Sequence, residues 1–302
     1  MTLSRSLRAD ALHEAGMTYF EDGDEAAAVK EYLRALVLDP DRPHTLYALG
    51  LLFKYRRAWR ESFEYNQRAR RLRPDDEATL WNLVIAATAL QDWATARDVW
   101  RDLKIFLAPG EGPVDDDFGI TSVRLNVDAM NAAIEVVWAR RVCPVRARIA
   151  NIPAGSTGFR YGDVVLHDWT AAGYRLDSEG QEWPVFNALE LFEPSRFSTH
   201  EAWVEVDSPE DIEALDGLCD EAGIFFEDWT GSPRTLLKAC SDRRPYEGLD
   251  WELQGTESWD RMRRVSFAAV DSALLTRVLN DWVQGPRRRL ADFRCTLDAR
   301  LS

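Results

Sequence analysis

A step of 34 residues runs through the first third of this 302-residue chain and constrains its fold more than any other feature. Gly16 and Gly50 stand one step apart, as do Ala35 and Ala69, Pro40 and Pro74, and the aromatic pair Tyr19 and Phe53. Leucine recurs at Leu12, Leu46 and Leu80. A period of this length marks a supersecondary unit repeated in tandem, because one helical hairpin cannot bury its own apolar face and successive units must stack. Small residues at Gly16 and Ala28 let the two helices of a hairpin approach closely. Large ones at Tyr19 and Tyr32 are expected to fill the space between hairpins. Pro40 and Pro74 stop each second helix and set the turn into the next unit.

The first unit, Leu12, Gly16, Tyr19, Ala28, Tyr32, Ala35 and Pro40, resembles the tetratricopeptide repeat family at every one of these positions. The second keeps Leu46, Gly50, Phe53, Ala69 and Pro74 but departs at Ser62 and at Asn66, where an aromatic belongs. The third keeps Leu80, Ala96 and Trp100, has Val84 and Ala87 in place of glycine and an aromatic, and places Pro109 one residue late. A degenerate terminal unit fits a face that packs on something else. The resemblance covers residues 1–108 and implies three stacked hairpins that act as a protein-binding scaffold.

It also implies that the first helix of each hairpin lines a concave groove. The groove positions would be His13, Met17 and Phe20, then Tyr47, Leu51 and Lys54, then Trp81, Ile85 and Thr88. Family members that clamp a terminal carboxylate carry Lys, Asn and Arg at such places. The apolar and aromatic set here favours an amphipathic helix or an extended apolar peptide as ligand. The groove is either open to another protein or filled by the chain's own acidic C-terminal region. Both readings stand at this point. A basic stretch on the middle unit, Arg56, Arg57, Arg60, Arg68, Arg70, Arg71 and Arg73, is either a solvated helix face or a dock for an acidic surface.

Charge is unevenly distributed. The net charge of −14 is made of a nearly neutral stretch over residues 1–108, −17 over 109–259 and +4 over 260–302. An acidic field of this size repels phosphate backbones, so nucleic acid is not an expected partner. The arginines near Met1 have no apolar stretch behind them, no apolar run reaches membrane-spanning length, and Cys143, Cys219, Cys240 and Cys295 are scattered. These features lead us to expect a cytoplasmic chain of bacterial type with reduced thiols and no membrane partner.

Beyond residue 108 the fold class is expected to change from α to α+β. Residues 109–133, beginning APGEGPVDDD, are read as an acidic linker with a short helix near Val127 to Ala133. Residues 134–198 are read as a β-rich, barrel-like subdomain with short strands near Val136 to Val142, Arg148 to Ile152, Asp163 to His167, Gly173 to Leu176 and Glu182 to Leu191. Turn residues such as Asp177-Ser178-Glu179-Gly180 separate these strands. Residues 199–302 hold two strand–helix–strand units in tandem, which predicts a ferredoxin-like split βαβ subdomain. Its first helix should begin at Ser208, with Asp211 completing a capping box, and end at Gly223.

The sequence contains no phosphate loop, nucleophile elbow or metal-binding helix. His167-Asp168 could act as a general base at a strand end or cap a turn. Cys240, near Lys238, could be a reactive or a structural thiol. The acidic runs Asp115-Asp116-Asp117 and Glu227-Asp228-Trp229 lack the alternating ligands of a calcium loop. Trp169, Trp183 and Trp229 are read as core, and Trp251 and Trp259 as exposed or at an interface. The expected function is that of an adaptor recruiting a protein or peptide through the apolar groove, with a second binding surface in the α+β region and no cofactor or metal. The competing reading is an enzyme or small-ligand sensor with its site in that region. Convergence of His167, Asp168 and Cys240 on one pocket would support that reading.

Overall fold

The computed structural model describes residues 4–127, 134–176, 180–230 and 259–300. The chain forms two compact units, Met1–Asp116 and Asp117–Ser302. The first is helical, with α1 (Arg5–Glu21), α2 (Glu25–Leu38), α3 (Pro43–Tyr55), α4 (Trp59–Leu72), α5 (Glu77–Ala89) and α6 (Trp93–Asp102) paired as antiparallel hairpins. Start signals are local: Asp24, Asp76 and Asp92 accept hydrogen bonds from Ala27 N, Thr79 N and Thr95 N, and Pro43 opens α3.

The 34-residue step persists in the backbone even where side chains depart from it. Gly23, Arg57 and Gln91 each follow a first helix at positive φ, 80°, 57° and 58°. Behind them Asp24 N, Ala58 N and Asp92 N donate to Tyr19 O, Phe53 O and Ala87 O at 2.8, 2.9 and 2.9 Å. The third unit is therefore a regular hairpin despite its altered residues. Its Val84 and Ala87 are wholly buried with Leu83, Ala96 and Trp100.

Close approach within the hairpins matches the expected role of the glycines. A Cβ on Gly16 would stand 2.6 Å from the Tyr32 ring. In the second unit the aromatic is replaced by a matched polar pair: Ser62 Oγ donates to Gly50 O at 2.8 Å, and Asn66 Nδ2 donates to Ser62 O at 2.8 Å. Asn66 lies directly over Gly50. Tyr19, expected between hairpins, is instead 42% exposed, and Tyr32 alone fills that space with Leu36, Leu46, Leu49 and Leu52.

This pairing yields a prediction. A Cβ on Gly50 would sit 2.5 Å from Asn66 Cγ and 2.6 Å from its Oδ1, and the amide has no free space to enter. Gly50→Ala should destabilise the helical unit by about 1–3 kcal/mol through overpacking. With Asn66→Ala already present it should be neutral or stabilising, because alanine is the better helix former. Urea unfolding of the four members of this cycle measures the coupling. A cost that persists on the Asn66→Ala background would contradict the packing assignment.

The second unit has two sheets. In the first, β1 (Ile120–Leu125), β2 (Glu135–Cys143), β3 (Arg146–Ile149), β4 (Val164–Leu176) and β5 (Glu182–Glu193) pair antiparallel in order, and β5 closes on β1 in parallel. Val123, Leu125, Val137, Ala139, Ala147, Ile149, Val165 and Ala188 form its interior, at the alternate positions a pleated strand turns inward. β1 falls within the stretch expected to be linker: six residues between a glycine-acid run and the residues that follow give too short a strand signal to read. The short helix expected near Val127 to Ala133 lies, from residue 128, outside the described residues, as do residues 177–179 of the expected turn. The two strands expected at Asp163 to His167 and Gly173 to Leu176 are one strand, β4, whose register against β5 shifts between Val164 and Gly173.

In the second sheet, β6 (Ser198–Glu205), α7 (Pro209–Glu221), β7 (Phe225–Asp228), β8 (Met262–Ala269), α8 (Ser272–Trp282) and β9 (Arg289–Leu297) follow in chain order, and the antiparallel strands lie in the order β7-β8-β6-β9. Leu215, Cys219, Leu275, Val278, Leu279 and Trp282 from the helices pack on Val204, Val265, Phe267 and Ala269. On the opposite side of β8, Ala268 packs with Trp229, which follows β7, and with Ile152 of the segment after β3. The expected capping box is not formed. Ser208 holds the cap position in extended conformation, but its side chain caps no backbone N–H. Asp211 turns away to accept from Asp207 N at 3.3 Å and Arg288 Nε at 2.7 Å. Gly223 follows α7 at φ 67°, as its position implies.

Candidate functional site

A cavity of about 260 Å³ opens between the first two hairpins, lined by His13, Met17 and Phe20 of α1, Tyr32 of α2, and His44, Tyr47, Ala48 and Leu51 of α3. Five of the positions expected in the groove, His13, Met17, Phe20, Tyr47 and Leu51, thus meet in one place. The helical spacing of three and four residues sets them on one face of each helix. Met17 and Phe20 remain 40% and 37% exposed, which is high for large apolar side chains on a folded hairpin.

The polar groups of this cavity are subdued. His13 Nδ1 lies 3.0 Å from Thr45 Oγ1, and its ring sits 5.5 Å from that of Tyr32. Burial lowers the pKa of His13, with the nearby Arg42 and His44 acting in the same direction against Glu14 and Asp10. Burial raises the phenol of Tyr32. His13 and Tyr32 therefore present a neutral imidazole and a neutral phenol beside apolar surface that can hold large apolar side chains.

The remaining groove positions do not extend this opening. Lys54, Ile85 and Thr88 are buried at 1%, 0% and 0% exposure, and Trp81 is half-buried with its Nε1 donating to Glu77 Oε1 at 3.2 Å. Lys54 Nζ lies 4.4 Å from the centroid of the Tyr55 ring rather than in the cavity. The sequence pattern could not show this, because period alone gives the face of a helix and not what covers it. Tyr32, His44 and Ala48 were not among the expected groove residues. His44 directly follows Pro43 at the start of α3, so its place at the mouth was readable from the turn.

The basic stretch is partly committed to the helical unit itself. Arg56 pairs with Glu25 at 2.7 Å, Arg70 with Asp102, and Arg68 donates to Pro40 O at 3.0 Å. Arg71 donates to Gln67 Oε1 at 3.1 Å, Arg57 occupies the positive-φ turn, and Arg60 and Arg73 are exposed. Several of these arginines thus tie hairpin to hairpin instead of forming one uniform patch.

In the second unit, His167 and Asp168 are both buried, but they are arranged for structure. His167 Nδ1 lies 2.7 Å from the Asp168 carbonyl oxygen, and Asp168 Oδ1 accepts from Trp169 N at 2.8 Å. Burial depresses His167 to about 4, opposed by the Asp168 carbonyl and reinforced by Arg141. Cys240, Lys238 and Trp251 lie outside the described residues. Burial raises the thiols of Cys143 and Cys219, the latter to about 12, which suits inert core positions. Among the described residues no cluster of His, Cys, Asp and Glu could hold a metal ion.

The acidic runs also have structural partners. Glu227 Oε1 accepts from Asn151 Nδ2 and Ile152 N at 2.9 and 3.1 Å, Asp228 pairs with Arg263, and Asp117 Oδ1 accepts from Gly119 N at 2.9 Å. Trp259, expected to be exposed or at an interface, is half-buried and packs on the core of the second sheet with Arg263 stacked 4.6 Å from its ring. No helix among the described residues is long and apolar enough to cross a membrane.

Comparison with known proteins bears on the helical unit. Residues 16–54 match a family model described as a TPR repeat. Solved structures similar to this part include the first TPR of Spaghetti (RPAP3) bound to the HSP90 peptide SRMEEVD, 22% identical over 33% of this chain and 80% of that one with a TM-score of 0.31. Yeast Tom70 is 24% identical over 34% of this chain but only 20% of its own, with a TM-score of 0.30. A hypothetical protein from Neisseria gonorrhoeae, whose match is too long to be confined to the helical unit, is 13% identical over 62% of this chain and all of its own, with a TM-score of 0.29. No curated protein matches the chain.

Proposed function

We propose that the helical unit is a protein-interaction module that seats large apolar side chains of a partner peptide in the cavity between its first two hairpins. The observation that carries this reading is the cavity itself: exposed Met17 and Phe20 beside Tyr47 and Leu51, in a wall without lysine, arginine or carboxylate. With Lys54 buried away from it, nothing among the lining residues would clamp a terminal carboxylate, so an amphipathic helix or extended apolar segment is the fitting occupant. On this reading the chain is an adaptor. The strand order β7-β8-β6-β9 with two helices agrees with a ferredoxin-like subdomain beside a small closed barrel. We assign that half of the chain a second binding surface.

Selection of a random peptide library on the full chain tests the reading. Enriched sequences should carry large apolar residues at helical spacing, and Met17→Glu should weaken an enriched peptide about thirtyfold by placing a charge in an apolar seat. Enrichment of terminal acidic residues, or binding indifferent to Met17→Glu, would overturn it. If the chain's own C-terminal region fills the cavity, no peptide is enriched and Met17→Glu lowers the stability of the chain instead.

A further inference from the structure

A second opening, of about 340 Å³, lies on the first sheet of the second unit, bounded by Ile120, Trp138, Ala139, Arg140, Ala150 and Trp183. Two of its walls are indoles at right angles: the rings of Trp138 and Trp183 lie 5.8 Å apart with an interplanar angle of 89°. Arg175, at the edge of the lining, stacks on Trp138 with its guanidinium carbon 4.3 Å from the ring centroid. Arg175 is the direct cross-strand partner of Trp183 in the β4–β5 register. The two indoles and this arginine therefore form one group built from three strands.

Two guanidinium groups stand at this corner, Arg140 in its lining and Arg175 against Trp138. Arg175 is half-buried and makes no ion pair among the described residues, and burial lowers its pKa, as it does for a cation without a counter-ion. Arg140 is held by Asp117 in a pair whose side chains are 55% and 61% exposed, so the carboxylate can be exchanged for another. None of the lining residues is acidic.

We propose that this corner binds a small planar aromatic carboxylate, its ring against the two perpendicular indoles and its carboxylate toward Arg140 and Arg175. A third ring fits edge-to-face on one indole while lying offset over the other, the two arrangements aromatic pairs prefer. A planar guanidinium pairs with a carboxylate through two parallel hydrogen bonds. A cationic ligand, which paired indoles would otherwise favour, is repelled by the arginines. A volume of about 340 Å³ suits one fused ring system. Nothing in this site depends on the peptide-binding cavity of the helical unit.

Ligand-observed NMR titration of the full chain with indole-3-acetate and with its neutral amide tests the assignment. The acid should bind with a Kd of about 1 mM or tighter, and the amide about tenfold more weakly. Arg175→Gln should reduce the acid to the level of the amide, while Trp183→Leu should weaken both about tenfold. Equal binding of acid and amide to the unaltered chain, no saturable binding of either, or binding unchanged by both substitutions would overturn the proposal. The acid–amide comparison needs no substitution and so does not depend on a variant folding.

Discussion

Replacing Asp163 with alanine is expected to remove about 3–5 kcal/mol from the stability of the second unit. Its carboxylate is wholly buried and fully used. Oδ1 accepts from Ser195 N at 2.7 Å and from Arg300 Nη1 at 2.9 Å, and Oδ2 accepts from Arg160 N at 2.9 Å. Alanine strands these donors. Each buried N–H left without an acceptor costs about 1–3 kcal/mol, and the guanidinium loses its counter-ion. The three donors come from the turn before β4, the connection between β5 and β6, and the C-terminal residues, so one side chain joins segments remote in sequence. Arg160 extends the tie by donating from Nε to Asp298 O at 3.0 Å. Asp163→Asn keeps the shape but turns an amide N–H toward a donor, and should cost about 2 kcal/mol. Urea unfolding followed through the transition of the second unit measures both. A loss under about 1 kcal/mol for the alanine variant would mean that the carboxylate is not what joins these segments.

That tie could not be read from the sequence, and the reason is physical. Asp163 sits between Gly162 and Val164 like any turn aspartate, and only the fold brings Ser195 and Arg300 to it. The same holds for Glu227, which resembled part of a solvated acidic run and is instead the acceptor for Asn151 and Ile152. Long-range partners leave no local periodicity. The hairpins were legible because their signals are local: a glycine under Tyr32, an aspartate three residues before the N–H it caps, a proline after each second helix. Where the units departed from pattern, the fold compensated locally, as with Ser62 and Asn66 over Gly50. The site was legible in part for the same reason. Helical spacing placed Met17, Phe20 and Leu51 on facing surfaces, but it could not show that Ile85 and Thr88 are covered.

The second large effect concerns pH. His167 is wholly buried, and burial holds its pKa near 4 against about 6.5 for an exposed histidine, although the Asp168 carbonyl pulls the other way. The folded chain therefore keeps His167 neutral where the unfolded chain begins to bind a proton. Its contribution is intact above pH 6.5 and is lost as pH falls from there toward 4, at about 1.4 kcal/mol per pH unit and about 3 kcal/mol in all. His200 acts in the same direction. Its pKa is lowered by burial, with its Nε2 2.9 Å from Ser198 Oγ and 3.1 Å from Ser272 Oγ. The two are separated by substitution. His167→Gln removes one titration and keeps a polar side chain, so its stability should fall less steeply than that of the parent between pH 6.5 and 4.5, whatever its stability at neutral pH. The contributions of His200 and of the carboxylates remain in both proteins and cancel in the difference. Denaturant unfolding of the second unit at half-unit pH intervals supplies the two curves. If they run parallel, His167 is protonated alike in the folded and unfolded chains, and its depressed pKa is refuted. If the parent's curve falls more steeply than the variant's as the pH is lowered, the buried imidazole is an acid-labile element of the β-sheet core, since a proton on Nε2 would be buried without a partner.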